Sequence, residues 1–191
     1  MTKEEAIARL EDKNTPLEEV ETIFESFSDD MQVAGQVAMN LSLRTSIYEP
    51  EKSAHPIMTE LLVRLSAVED MGSRWAVAKN PHTPVEILTD LAKDEINLVR
   101  ALVATNPNTP PSVLQNLFGD EKIVRDGLSG NPATPAKLLK ILADDSDKMV
   151  RMRVAENPST PEETLEKMTN DTDANVAKAA EVNLAKRRES A

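Results

Sequence analysis

The side chains that most often carry catalysis or bind metals are few in this sequence. His55 and His82 are its only histidines, and it contains no cysteine. Neither histidine has a second histidine or a set of carboxylates at the spacing of a zinc site. The chain also lacks a glycine-rich phosphate loop, a nucleophile elbow and a Ser/His/Asp arrangement. We therefore predict no catalytic residue, no metal and no cofactor, and we expect that the protein is not an enzyme.

Arginine is the residue type whose spacing could support binding chemistry. Four arginines recur at steps of 26, 25 and 26 residues: Arg74, Arg100, Arg125 and Arg151. A row of guanidinium groups could bind phosphates or the carboxylates of a partner. However, acidic residues precede each arginine, such as Asp94 and Glu95 before Arg100. We interpret the four as a structural ladder, with a binding role as the alternative.

Two dipeptides recur along the chain with the same period as the arginines. Asn-Pro occurs at positions 80, 106, 131 and 157, and Thr-Pro follows at 83, 109, 134 and 160. A regular period of this length is the signature of a stacked repeat array.

Each unit is predicted to contain two helices. Thr83 is placed to act as the N-cap of the first, Pro84 suits the first helical position, and Glu86 completes a capping box. The same box is predicted at Thr15/Glu18 and Thr160/Glu163. Leucines at helical spacing follow, and the first helix should cover about 10–12 residues.

The second helix should turn Val99, Val103 and Ala104 towards the core. Asn106 is suited to a left-handed cap at its end, and Pro107 prevents its continuation. Neither helix can bury its apolar stripe alone, so neighbouring units must stack. The sequence therefore predicts an all-α fold, an α-solenoid of antiparallel helix pairs, in a single domain over residues 1–191.

The regularity of the repeats changes along the chain. Residues 1–14 are predicted to form an N-terminal cap helix, 15–72 degenerate repeats, 73–183 regular repeats and 184–191 a polar tail. Within the degenerate part, residues 41–54 contain Tyr48 and Pro50 and are predicted to be irregular.

The pattern Val-Arg-x-x-Val-Ala-x-Asn-Pro-x-Thr-Pro, followed by leucine pairs, resembles the leucine-rich repeat variant family and, more broadly, HEAT-type helical repeats. The likeness is strong over residues 73–183 and weak over 15–72. It implies helices of two kinds alternating in a right-handed superhelix, and a scaffold without a reaction of its own. The first described member of that family carries an iron–sulfur cluster held by N-terminal cysteines, which this chain lacks.

The charge of the chain bears on its partners. The formal net charge is −11, and residues 1–40 alone contain 3 basic and 10 acidic side chains. Because phosphate affinity comes mainly from lysine and arginine, this balance disfavours nucleic acid and acidic membranes. The N terminus lacks the apolar run of a signal peptide, and no stretch of about 20 apolar residues could span a bilayer. We expect a cytoplasmic protein that binds a protein or peptide.

Positions that vary between units are the candidates for binding. The residue after the ladder arginine and the residue four places later share one face of the second helix, and both vary. If second helices line the inner surface, these positions form a contact strip. Its candidates are Trp75, Lys79, Ala101, Thr105, Asp126, Met152 and Glu156. Trp75 is the best of them because aromatic side chains are frequent hot spots, although packing against residues 41–54 would explain it equally well.

A second candidate surface is acidic. Glu18, Glu21, Glu25 and Asp29 lie opposite the apolar stripe of the first full helix. We interpret them as a solvated face, with the docking of a basic partner as the alternative.

Three hypotheses for function remain open. The first is a non-enzymatic scaffold or adaptor that binds a protein or peptide along its inner helix face. The second is a HEAT-like nucleic-acid binder or base-excision enzyme, which the arginine ladder, Trp75 and Asp126 favour and the net charge opposes. The third is a structural subunit of a larger assembly. The sequence predicts neither the partner's identity nor the oligomeric state.

Overall fold

The computed structural model describes residues 1–45 and 55–190. Within these residues the chain forms thirteen α-helices and no strand, which confirms the predicted all-α fold. In chain order the helices are α1 Lys3–Glu11, α2 Leu17–Ser26, α3 Met31–Arg44, α4 Pro56–Ser66, α5 Met71–Lys79, α6 Val85–Leu91, α7 Asn97–Thr105, α8 Pro111–Asn116, α9 Lys122–Gly130, α10 Ala136–Leu142, α11 Lys148–Glu156, α12 Glu162–Met168 and α13 Ala174–Ser190.

The helices after α1 alternate between two rows. The even-numbered helices α2 to α12 form the outer row, and the odd-numbered helices α3 to α13 form the inner row. Each inner-row helix packs on the next one, whereas contacts between α6, α8, α10 and α12 are sparse. A row whose members pack closely must lie on the shorter, inner side of a curved array. The contacts therefore describe a helical-repeat solenoid, while the handedness of its superhelix stays a prediction.

One continuous apolar core runs between the two rows. Its outer-row side is a column of fully buried leucines, one from each regular unit: Leu88, Leu114, Leu139 and Leu165. Its inner-row side is a matching column of valines, Val99, Val124 and Val150. The outer-row helices α6, α8, α10 and α12 cover only 6 or 7 residues each, fewer than predicted. Helices this short are unstable alone in water, so burial against the neighbouring units holds them.

The capping boxes predicted at the Thr-Pro pairs are wrong. Thr83 is buried, and its hydroxyl donates to the carbonyl of Val77 at 2.6 Å. Thr160 makes the same bond to Val154, and Thr15 donates to the carbonyl of Arg9. The helices that follow begin at proline N-caps without a side-chain hydrogen bond. Each of these threonine hydroxyls therefore hydrogen-bonds the turn to the helix that precedes the turn.

The irregular segment predicted over residues 41–54 is partly wrong as well. Residues 41–44 continue α3, which is 14 residues long, whereas α5, α7, α9 and α11 have 9 each. Tyr48 and Pro50 lie outside the described residues. In the part of the chain that the structure describes, no helix is long and apolar enough to cross a bilayer.

Candidate functional site

A buried column of asparagines joins successive inner-row helices. The Nδ2 atom of Asn106 donates to the carbonyls of Ala78 and Asn80, both at 2.8 Å, and its Oδ1 accepts the backbone N–H of Asn108 at 3.0 Å. Equivalent donations come from Asn131, Asn157 and Asn183 to the helix before each, and from Asn40 to the end of α1. Carbonyls at the end of a helix have no partner within it, so each amide caps the preceding helix. We call Asn106, Asn131, Asn157 and Asn183 the asparagine spine.

The left-handed cap predicted for the asparagines is wrong. Asn106 has φ −67° and ψ 125°, which is extended backbone. Among the described residues none has a positive φ. The position requires asparagine because its side-chain amide bonds to carbonyls of the preceding unit. A residue that only capped its own helix would not make these bonds.

The four recurring arginines form ion pairs between units. Arg100 donates from Nε and Nη2 to the two carboxylate oxygens of Asp120 at 2.6 and 2.8 Å. Its Nη1 donates to the carbonyl of Asp94 at 2.8 Å, in the turn of its own unit. The other three pairs, each spanning 20 residues, are Arg74–Asp94, Arg125–Asp145 and Arg151–Asp171. We call these four pairs the arginine ladder.

The ladder also shifts the pKa values of its members away from neutral pH. The hydrogen bond from Arg100 lowers the pKa of Asp120, and the same bond raises the pKa of Arg100. Arg151 lowers the pKa of Asp171 in the same way. All four guanidinium groups are largely buried and already bind a carboxylate. They are therefore poorly placed to bind phosphates.

The predicted contact strip is partly accessible. Lys79, Thr105 and Glu156 are exposed, and Met152 is half-buried. Trp75 is half-buried, with the Lys79 ammonium 5.0 Å from the centroid of its ring.

Two members of the strip are less available. Ala101 is only 6% exposed, so it is wrong as a contact residue. It is covered because Gly127 of the next helix packs directly on it: a Cβ at Gly127 would lie 2.8 Å from the carbonyl oxygen of Ala101. Asp126 pairs with Arg153 at 2.9 Å.

Sequence reasoning missed three exposed apolar residues on the same helix face. Leu98, Ile123 and Met149 occupy the position two residues before the ladder arginine in α7, α9 and α11, and their exposed fractions are 36%, 42% and 49%. We call them the apolar row. A signal was present, because each precedes a buried valine of the core and adjacent residues on a helix point in different directions. Only one of the two can face the core.

The inner surface ends in a C-terminal cleft between α11 and α13, with a volume of about 690 Å³. Met152, Ala179 and Val182 supply apolar surface to it. Its charged lining residues are Glu156, Lys178, Lys186 and Arg187. Two residues of the contact strip, Met152 and Glu156, therefore belong to a concave site.

The acidic face lies on α2 and the turn after it, outside the inner row. Glu18, Glu25 and Asp29 are exposed, and Glu21 is half-buried. Glu25 lies 3.7 Å from Arg64, whose guanidinium also stacks 4.7 Å from the centroid of the Phe24 ring. Across residues 1–45 and 55–190, no group of three histidine or acidic side chains could hold a metal ion.

The fold and the inner surface define the class of this protein as an all-helical repeat solenoid with a partly apolar inner face. No protein-family model matches the chain, and no curated protein matches it in sequence. It is similar to a solved structure described as "a leucine-rich repeat variant with a novel repetitive protein structural motif". The alignment has 19% identity and a TM-score of 0.38, and it covers 88% of this chain and 87% of that one. The fold class rests on the helix contacts of this chain itself.

Proposed function

We propose that this protein is a non-catalytic scaffold that binds a segment of another protein along its inner row of helices. The observation that carries the proposal is the apolar row, three side chains exposed at one position of three successive helices. Apolar side chains exposed at the same position of successive helices are typical of a surface that binds a protein segment.

The inner surface combines features that interfaces use. The apolar row and Met152 supply apolar area, and Trp75 with Lys79 supplies an amphipathic aromatic near the other end. Polar residues such as Thr105 and Glu156 lie beside them. Interfaces are commonly built from an apolar centre with a polar rim.

The rigidity of the frame supports the same proposal. The asparagine spine and the arginine ladder hold α7, α9, α11 and α13 at fixed positions. A surface held in place before binding loses less conformational entropy when its partner arrives. Because the ladder guanidinium groups are occupied, they give no support to the nucleic-acid alternative.

The test is co-purification from cells of the source organism, with three versions of the full chain as bait. The row variant carries Leu98→Asp, Ile123→Asp and Met149→Asp. The control variant carries aspartate at three outer-row positions of similar exposure, Val63, Val85 and Ile141, which are 42%, 44% and 49% exposed. Both variants add three negative charges at exposed helix positions. They differ only in the row of helices that carries these charges.

We expect one or more proteins to co-purify with the wild type and the control variant and to be lost from the row variant. A photo-crosslinking residue at position 123, but not at position 85, should then react with the same partner. Partners retained by the row variant, or a wild-type bait that captures only nucleic acid, would overturn the proposal.

A further inference from the structure

The C-terminal end of the inner surface differs in charge from the rest of the chain. Residues 174–191 contain four cationic side chains and two carboxylates, whereas the whole chain has a net charge of −11. Three of these cations line the C-terminal cleft: Lys178, Lys186 and Arg187. Glu156 is the carboxylate among the lining residues. The cleft is therefore a locally basic site on an acidic protein.

The shape of the cleft suits an apolar side chain. Its volume of about 690 Å³ lies within the range of ligand-binding clefts, and it is open to solvent. Met152 and Val182 expose apolar atoms from the two helices that form its walls. An apolar group lodged between these walls would have cationic groups beside it.

The cations of the lining differ in their freedom to accept a new partner. Arg187 is held in place, because Nε donates to Oδ1 of Asn183 at 3.0 Å and Nη1 donates to the carbonyl of Thr160 at 2.8 Å. Lys178 pairs with Glu181 at 3.0 Å, and both side chains are mostly exposed. Exposed ion pairs of this kind are weak, so Lys178 can exchange Glu181 for the carboxylate of a partner.

We propose that the C-terminal cleft binds an acidic peptide segment, with a large apolar side chain between Met152 and Val182 and an adjacent carboxylate on Lys178. This inference rests on the proposed function, because the cleft continues the inner surface, and it adds the chemistry of the partner. Charge complementarity selects the occupant: three of the four charged residues that line the cleft are cations, which favours an acidic segment over a basic one.

The test is a selection of random dodecapeptides displayed on phage against the immobilised full chain, followed by fluorescence polarisation with the selected peptides. The variants are Lys178→Glu, Val182→Asp and the matched control Lys137→Glu, which changes the same charge on the exposed side of α10. A fourth variant is the triple aspartate change in the apolar row. Circular dichroism checks that every variant is folded.

We expect the selected peptides to carry Asp or Glu next to Leu, Phe or Met. Lys178→Glu should weaken their binding about tenfold, because it replaces the weak attraction of an exposed charge pair with a repulsion of similar size. Val182→Asp should weaken it at least as much, and Lys137→Glu should leave it unchanged. Replacing the acidic residues of a peptide with Gln or Asn should weaken binding to the wild type and remove the effect of Lys178→Glu.

The two proposals can fail separately. One outcome is a set of neutral or basic peptides that the row variant no longer binds and that Lys178→Glu binds as tightly as the wild type. This outcome would overturn the cleft proposal and leave the scaffold proposal intact. Both proposals would be overturned if the selection yields no specific peptide. They would also be overturned if the selected peptides bind the row variant and both cleft variants as tightly as the wild type. Dimerisation of the wild type that Lys178→Glu abolishes, measured by sedimentation, would identify the occupant as a second copy of this chain and overturn the peptide proposal.

Discussion

The regular units and the junction between α3 and α5 are built differently. The contacts from α5 to α7, from α7 to α9 and from α9 to α11 each combine apolar packing with a spine amide and an ion pair of the ladder. Between α3 and α5 the packing is apolar. Ala34 occupies the ladder position, and Nδ2 of Asn80 is buried without a hydrogen-bond partner among residues 1–45 and 55–190.

The length of α3 explains why the Nδ2 atom of Asn80 finds no acceptor among the described residues. In the regular units the inner helix ends at the asparagine, so its last carbonyls are free to accept the amide of the next unit. Because α3 continues to Arg44, the carbonyls of Ala38 and Asn40 lie inside the helix, where helix hydrogen bonds use them. The spine is therefore interrupted at this junction.

The end of α3 resembles the end of the whole array. Arg44 donates from Nε to Oδ1 of Asn40 at 2.7 Å and from Nη2 to the carbonyl of Thr15. Arg187 makes the equivalent bonds to Asn183 and Thr160 in α13. In both places the helix continues past the asparagine, and an arginine four residues later donates to the asparagine Oδ1. In the regular units that oxygen accepts the backbone N–H two residues after the asparagine.

This comparison shows where the frame and the exposed apolar row lie in the chain. The apolar row occurs in α7, α9 and α11, where spine and ladder are both present. At the same position α5 has Gly72 and α3 has Gln32. We therefore regard the first three helices as a separate block and the regular units as the part that presents the inner surface.

The largest expected effect comes from removing a spine amide. Asn106→Ala should lower the free energy of unfolding by about 3 kcal/mol, because it deletes two buried hydrogen bonds and one partly buried one, and it leaves the carbonyl of Asn80 with only the N–H of Thr83 as a donor. Asn80→Ala should cost at most about 1 kcal/mol, since that side chain only accepts the backbone N–H of His82. Urea denaturation of both variants checks the difference, and equal losses would show that the spine is not interrupted.

An ion pair of the arginine ladder should contribute somewhat less to the free energy of unfolding than an amide of the asparagine spine. Arg100→Ala should lower the free energy of unfolding by roughly 2 kcal/mol, because Asp120 loses its charged partner in a poorly hydrated turn. It should leave binding along the inner surface nearly unchanged. Lys93→Ala is the control, because its pair with Asp90 is fully exposed and should contribute little. A loss of partner binding without a loss of stability would instead assign the ladder to the binding site.

A smaller effect is expected where α7 and α9 approach closely. Gly127→Ala should cost about 1 kcal/mol, because the added methyl group collides with the backbone of Ala101 and the better helix propensity offsets only part of the strain. Gly130→Ala is the control in the same helix, since its methyl group would meet Arg153 at ordinary contact distances of 3.5 and 3.6 Å. Thermal unfolding of the pair measures the difference, and a stabilising Gly127→Ala would contradict the close packing.

The smallest effect is on the pH dependence of stability. The pKa values of Asp120 and Asp171 are lowered in the folded chain, so their contribution is present above the unfolded value of about 3.9 and is lost as pH falls through the folded values. Asp120→Asn should be less stable than the wild type at pH 7, and this deficit should shrink as pH falls below about 4. Urea midpoints at several pH values measure it. If the stability deficit of Asp120→Asn stays constant down to pH 2, loss of the ladder ion pair is not the cause of that deficit.

The fold could be predicted because its period is visible in the sequence, while the roles of several residues could not. Asn106 and Thr83 have the types and spacing of local helix caps, yet both bond to carbonyls elsewhere in the stack. A sequence pattern shows which residues recur, but not how far a side chain reaches across a helix contact. Ala101 was misplaced for the same reason, because a glycine in the next helix covers it.

Native-state hydrogen exchange of the full chain tests the central claim most directly. The account predicts that the amides of α1 to α3 open at a lower free energy than those of α7, α9 and α11, which open together as one unit. Asn106→Ala should lower the opening free energy of the regular units, whereas Asn80→Ala should leave them unchanged. A single opening free energy shared by all helices, from α1 to α13, would contradict the division of the chain into a separate block and a rigid array.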